Sequence, residues 1–121
     1  MTPDLLIAVD AGTSVMKAVV FDLAGNQLAS TKRPNRYETL PGGAVEQDMA
    51  RTWADAAAVL RELVDRIPDI GRRAAALAVT GQGDGTWLVD ADGEPVAPAL
   101  LWLDSRAAEI VDETAGNIYA G

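Results

Sequence analysis

Leu5-Leu6-Ile7-Ala8-Val9-Asp10-Ala11-Gly12-Thr13-Ser14-Val15-Met16-Lys17-Ala18-Val19-Val20-Phe21 is the stretch that decides the fold. Residues 5–9 form an unbroken apolar run, which predicts a strand buried on both faces, because a strand with one wet face alternates instead. Gly12 supplies backbone freedom where the chain reverses, and residues 15–23 predict a second strand. Ala24-Gly25-Asn26 is a hairpin turn. Residues 27–33 alternate weakly and end on Lys32 and Arg33, which suits an edge strand. The chain therefore opens with three strands in a meander, not with strand–helix–strand.

Beyond the meander, Pro34 to Gly43 reads as a loop, with two prolines and the Gly42-Gly43 pair. Asp48 is placed to cap a helix. Trp53, Ala56, Ala57, Leu60, Leu63, Val64 and Ile67 fall on one face of that helix at helical spacing, and Pro68 and Gly71 stop it. Residues 74–80 then predict a buried strand, parallel to the first after the helical crossover. Asp92-Gly93 signals a hairpin between residues 86–90 and 94–98. Residues 99–103 are a last apolar run, after which Asp104 or Ser105 caps a helix over residues 106–115.

Composition narrows the chemistry. The 121 residues suffice for one domain with its own core. With 10 Lys plus Arg against 18 Asp plus Glu, the net charge is −8. That balance argues against nonspecific binding to nucleic acid or to an anionic membrane, and is compatible with a local cationic pocket for ATP. The absence of cysteine and histidine excludes a disulfide framework, a Cys/His zinc site and a Ser-His-Asp triad. Acid–base work must fall to carboxylates, and any metal is a hard cation held by oxygen. Met1-Thr2-Pro3-Asp4 lacks the basic region of a signal peptide, and no apolar stretch approaches the ~20 residues that span a bilayer. A cytoplasmic location is the expectation.

Three constellations carry candidate chemistry, and each has a structural alternative. In the first, Asp10 holds a divalent cation, Gly12, Thr13 and Ser14 meet phosphate oxygens, and Lys17 adds positive charge. Equally, Asp-x-Gly-Thr is good turn chemistry for a simple hairpin. It is not a Walker loop, since the Gly-x-x-x-x-Gly-Lys-Ser/Thr pattern and the following helix are both missing. In the second, Gly81-Gln82-Gly83-Asp84-Gly85 ends a strand, where ligands of open α/β sheets gather. Gln82 and Asp84 would there hydrogen-bond the hydroxyls of a small polar substrate, or else the loop is a solvated turn. In the third, Trp102-Leu103-Asp104-Ser105-Arg106 sets an indole beside a carboxylate and a guanidinium, which suits a carbohydrate wall or a core tryptophan before a helix cap. Trp53 and Trp87 read as packing residues. The pairs Glu62/Arg66 and Arg61/Asp65 read as helical surface charges.

In this order, the stretches resemble the FGGY family of carbohydrate kinases, within the actin-like ATPase superfamily. Ile7 to Lys17 resembles the family's first phosphate loop, and Gly43-Ala44-Val45-Glu46-Gln47-Asp48 its Trp-Val-Glu-Gln-Asp-Pro segment. Val79-Thr80-Gly81-Gln82-Gly83-Asp84-Gly85 resembles its substrate loop, and Pro98 to Arg106 its Pro-Ala-Ile-Leu-Trp-x-Asp-x-Arg segment. Ala44 and Met49 depart from the pattern where it carries tryptophan and proline. The Gly83-Asp84 positions usually carry Met-His in xylulose kinases and Arg-Glu in glycerol kinases. Gly-Gln-Gly-Asp-Gly-Thr-Trp is nearest to erythritol-type polyol kinases and some pentulose kinases.

The resemblance implies an α/β, ribonuclease-H-like (actin-like) domain whose mixed sheet has a three-strand meander, a crossover helix and a parallel strand. It implies transfer of the ATP γ-phosphate, with Mg²⁺, to a hydroxyl of a small sugar or polyol. Asp10 would bind metal; Gly12, Thr13, Ser14 and Lys17 would meet the phosphates. Gln82, Gly83, Asp84, Trp102 and Asp104 would line the substrate pocket. Family members have two such domains, so residues 1–121 are expected to be the N-terminal one, incomplete at its C-terminal end and inactive alone. The general base and the adenine site would belong to the missing C-terminal domain. A non-catalytic binding or assembly module of the same fold, associating as a homo-oligomer, is the alternative, and another actin-like ATPase a more distant one.

Overall fold

The computed structural model describes residues 2–118. In chain order the strands and helices are β1 (Leu5–Ala11), β2 (Val15–Asp22), β3 (Gln27–Pro34), β4 (Glu38–Leu40), β5 (Ala44–Gln47), α1 (Met49–Arg66), α2 (Ile70–Arg73), β6 (Ala74–Gly81), β7 (Ala99–Leu100) and α3 (Ala108–Ile118). The main sheet has the order β3-β2-β1-β6. Its first three strands are the antiparallel meander, and β6 returns parallel to β1 after the α1 crossover. A smaller antiparallel sheet, β4-β5-β7, lies beside it.

Local chemistry explains the crossover. The Asp48 carboxylate accepts from the Arg51 N–H at 3.0 Å, satisfying a first-turn donor and starting α1. Ile67 turns extended and Pro68 follows, so the helix ends at Arg66. Leu5 and Val9 of β1, Met16, Ala18 and Val20 of β2, and Val59 and Leu63 of α1 form one buried cluster with Ile70. Inside it the Thr31 hydroxyl of β3 donates to the Val59 carbonyl at 2.7 Å.

Several sequence expectations are corrected. β1 is not buried on both faces: Leu6, pointing away from α1, is exposed. β6 forms where expected but is not buried; Val79 is 68% exposed. Its alanines and valine signal apolar surroundings, yet burial depends on what covers a strand. α1 packs against β2 and β3 and leaves the β6 end of the sheet open. The same offset exposes Trp53 (77%) and Val64, and buries Val59 instead. Trp53 borders an apolar groove with Leu77, Val79, Trp87 and Val89. The 34–43 loop contains β4, and β5 follows it; three- and four-residue strands show too little alternation to read from sequence. The last helix is shifted to Ala108–Ile118, with a turn at Arg106 and Ala107 before it. Neither expected residue caps its first turn with a side chain: Asp104 accepts from the Arg106 N–H at 3.1 Å, ahead of the helix, and the Ser105 carbonyl accepts from Ala108. Residues 86–98 keep the turn, with Gly93 at φ +82, but form isolated bridges rather than strands. Glu62 pairs with Arg33 at 2.9 Å and Arg66 donates to the Ser30 carbonyl, so these charges tie α1 to β3 rather than to each other.

Candidate functional site

β1 continues two residues beyond its apolar run because Asp10 and Ala11 pair with Lys17 and Met16. The reversal is confined to Gly12-Thr13-Ser14. A side chain at Gly12 would bring its Cβ to 3.0 Å from the Val15 carbonyl, so the tightness of the turn favours glycine. Asn35, 3% exposed, clamps it from outside. Its backbone N–H donates to the Ser14 carbonyl at 2.8 Å and its Nδ2 to the Gly12 carbonyl at 2.7 Å. Asn35 went unrecognised in the sequence, where it is one polar residue of a loop.

Cross-strand register sets the charges. Asp10 lies beside Thr80 on one side and Lys17 on the other, and Lys17 lies beside Lys32. This row, Thr80-Asp10-Lys17-Lys32, crosses the sheet on the face away from α1, because the alternate positions Val9, Ala18 and Thr31 face the helix. Asp10 is exposed and Lys17 half-buried. Among the described residues the ion pairs involve neither of them.

Because β1 and β6 are parallel neighbours, the turn and the polar glycine loop emerge at the same edge of the sheet. The Gln82 N–H donates to the Ala11 carbonyl at 3.3 Å, and a Cβ on Gly81 would stand 3.2 Å from that oxygen. Side chains then join three of the expected site residues. The Trp102 indole N–H donates to the Thr13 hydroxyl at 3.0 Å, and that hydroxyl donates to the Gln82 Oε1 at 3.5 Å. Gln82 Nε2 donates in turn to Gln47 Oε1 at 3.0 Å. Gly83 and Asp84 sit at the exposed tip, with Asp84 left-handed at φ 58. Gly85 turns the loop back where a Cβ would meet the Leu100 carbonyl at 3.0 Å.

Asp104 is placed differently from the others. Its carboxylate accepts from the Val45 N–H at 2.9 Å and from Arg106 at 2.7 Å, and Arg106 also binds Glu46 at 3.0 Å. The side chain is only 8% exposed. Asp104 thus ties the segment that follows Trp102 to β5, with both oxygens engaged by the chain itself. The Arg106 guanidinium, helped by the Val45 N–H, holds the Asp104 carboxyl well below the usual carboxylate range. A depressed folded-state value contributes stability that is complete above the unfolded value, about 3.9, and is lost as pH falls below it towards the folded value. Replacing Asp104 with Asn is therefore expected to flatten the acid limb of the stability profile below about pH 3.9, as read by thermal melts across pH. An unchanged acid limb would show that other carboxylates govern it.

Residues 5–120 match the family model described as "FGGY family of carbohydrate kinases, N-terminal domain". The chain is 53% identical over 114 residues to an erythritol kinase of Brucella abortus, covering 94% of this chain and 22% of that protein. It is 39% identical to a xylulose kinase of Streptomyces coelicolor, covering 93% of this chain and 23% of that one. Among solved structures, a xylulose kinase from Rhodospirillum rubrum superposes with a TM-score of 0.85 at 28% identity, over 93% of this chain and 23% of that structure. The chain thus spans less than a quarter of the length of these relatives.

Proposed function

Because this chain belongs to the FGGY family of carbohydrate kinases and has their α/β, actin-like ATPase fold, we propose that it is the N-terminal domain of an ATP- and Mg²⁺-dependent cytoplasmic kinase. Its substrate is a small polyol of the erythritol type, phosphorylated on a hydroxyl. The observation that carries the reading is the Trp102–Thr13 hydrogen bond, which sets an exposed aromatic wall directly against the turn. The likeness to an erythritol kinase favours that polyol over a xylulose- or glycerol-like substrate.

The residues fit the absent groups. Mg²⁺ takes one or two carboxylates and completes its shell with phosphate oxygens and water. Asp10 offers an exposed carboxylate free of ion pairs, and among the described residues no three acidic, His or Cys side chains converge into an all-protein cage. When bound, Mg·ATP supplies the phosphoryl group with part of its charge neutralised. The chain's own part is positioning and electrostatics. Asp10 would hold the ion; Gly12, Thr13 and Ser14 would present turn amides to the phosphates, with Lys17 balancing their charge. Gln82, Gly83 and Asp84 would orient the accepting hydroxyl, Trp102 would flank the carbon chain, and Asp104 would tie the segment that follows that wall to β5. No residue of this chain is assigned as the general base.

ADP release by the intact protein, assayed with erythritol, xylulose and glycerol, tests the reading. Turnover is expected to have its highest kcat/KM with erythritol; no turnover with any polyol or ketose would refute it. The 121-residue chain alone is expected to give none.

The open edge of β6 and the exposed Leu77 and Val79 favour a second reading, an assembly module whose partner is a second copy of the chain. A chain that elutes as a monomer at high concentration on a sizing column would remove it.

A further inference from the structure

We propose that Gln47 is a positioning residue for this site: the buried anchor of a one-way hydrogen-bond relay that fixes the Gln82 amide, the Thr13 hydroxyl and the Trp102 indole relative to one another. The proposal rests on the reading of the turn and the glycine loop as a phosphate and polyol site.

The relay runs from Trp102 Nε1 to Thr13 Oγ1 (3.0 Å), to Gln82 Oε1 (3.5 Å), from Gln82 Nε2 to Gln47 Oε1 (3.0 Å), and from Gln47 Nε2 to the Arg36 carbonyl (3.1 Å). Its polarity is set by its ends. An indole N–H can only donate and a backbone carbonyl can only accept. Each group between must accept on the Trp102 side and donate on the Arg36 side. Turning either glutamine amide over would set two acceptors or two donors face to face, so both orientations follow from the network. Aligned bonds of this kind also polarise one another.

Gln47 is the member that gives the relay a fixed origin. It is 1% exposed, at the end of β5, where an amide without partners would carry the full cost of desolvation. Both polar atoms of its amide are matched, Oε1 by Gln82 and Nε2 by the Arg36 carbonyl. Five segments are thereby joined: residue 36, β5, the glycine loop, the Gly12-Thr13-Ser14 turn and the Trp102 wall. The relay also assigns the one proton of the Thr13 hydroxyl to Gln82. That leaves the Thr13 backbone, Ser14 and Lys17 to face a phosphate. The Thr13–Gln82 contact, at 3.5 Å, is the longest and the first to yield.

The test uses the intact enzyme with Gln47→Met, which keeps side-chain length and removes the hydrogen bonds, with Trp102→Phe, which removes the donor at the far end, and with the double variant. Each single variant is expected to raise the KM for polyol about tenfold and to leave the KM for ATP within about twofold. The double variant should also stand near tenfold rather than a hundredfold, because both changes break one chain. Multiplying effects, or a Gln47→Met enzyme that melts earlier with polyol KM unchanged, would overturn the relay and leave Gln47 a packing residue. A second readout needs no turnover. In ¹⁵N-tryptophan-labelled protein the Trp102 indole resonance, assigned by its loss in Trp102→Phe, is expected to shift and to exchange faster with solvent in Gln47→Met. If it does not move, the relay is wrong even in an active kinase. If it moves in a protein that phosphorylates no polyol, the relay stands and the kinase reading fails. Gln82→Met, which cuts the chain outside the core, gives the same readout should Gln47→Met not fold.

Discussion

Asp10→Asn in the intact protein, read as the proposed kinase, is expected to lower kcat by about 10²-fold or more while leaving the fold in place. Asparagine has the shape of aspartate without its charge. Asp10 is exposed and free of ion pairs among the described residues, and its backbone pairs with Lys17 and Thr80 regardless of the side chain. Nothing in the packing should therefore register the change. What would be lost, on the proposed reading, is the carboxylate that holds the metal at the turn, and with it the fixed charge that keeps Mg·ATP in place. Steady-state rates over a magnesium titration would show a lowered kcat that partly recovers at high Mg²⁺, with an unaltered melting curve. A kcat within twofold of the parent would remove Asp10 from the site.

Leu63→Ala is expected to be the most damaging single truncation in the core, at about 2–5 kcal/mol. Leu63 is fully buried between α1 and the sheet, packed with Leu5, Val9, Met16 and Val20. Removing its branched end leaves a void that strands on one side and a capped helix on the other cannot close. Val64→Ala, one residue along and exposed, should stay within about 0.5 kcal/mol. Hydrogen-exchange protection of the β1 and β2 amides reports this core directly. Equal effects at the two positions would mean that α1 sits on the sheet with a different face.

That pair of positions shows where the sequence was legible and where it was not. Leu63 and Val64 both fall on the apolar face of the helix by spacing, and the capping by Asp48 and the stop at Pro68 are local chemistry that the sequence states outright. Which part of a broad apolar face meets the sheet depends on where the helix is laid across it. Here α1 covers β2 and β3, so Val59 is buried while Val64 and Trp53 are not. β6 shows the same division: its position and direction were readable from the crossover, its exposure was not.

The candidate site divides along the same line. Asp10, Gly12, Thr13, Ser14 and Lys17 are near neighbours in the chain, and a strand running into a glycine turn is enough to gather them. The order of the four family-like segments was likewise present in the sequence, and the family match and the fold agree with it. Residues 13, 47, 82 and 102 could be brought within hydrogen-bonding distance only by the parallel pairing of β1 with β6 and the antiparallel pairing of β5 with β7. The clamp by Asn35 and the hydrogen bond from Val45 to Asp104 belong to the same class. Local periodicity and turn chemistry act over a few residues and can be read along one chain. Hydrogen-bond partners separated by 23 to 89 positions are chosen by sheet register, which exists only once the chain has folded.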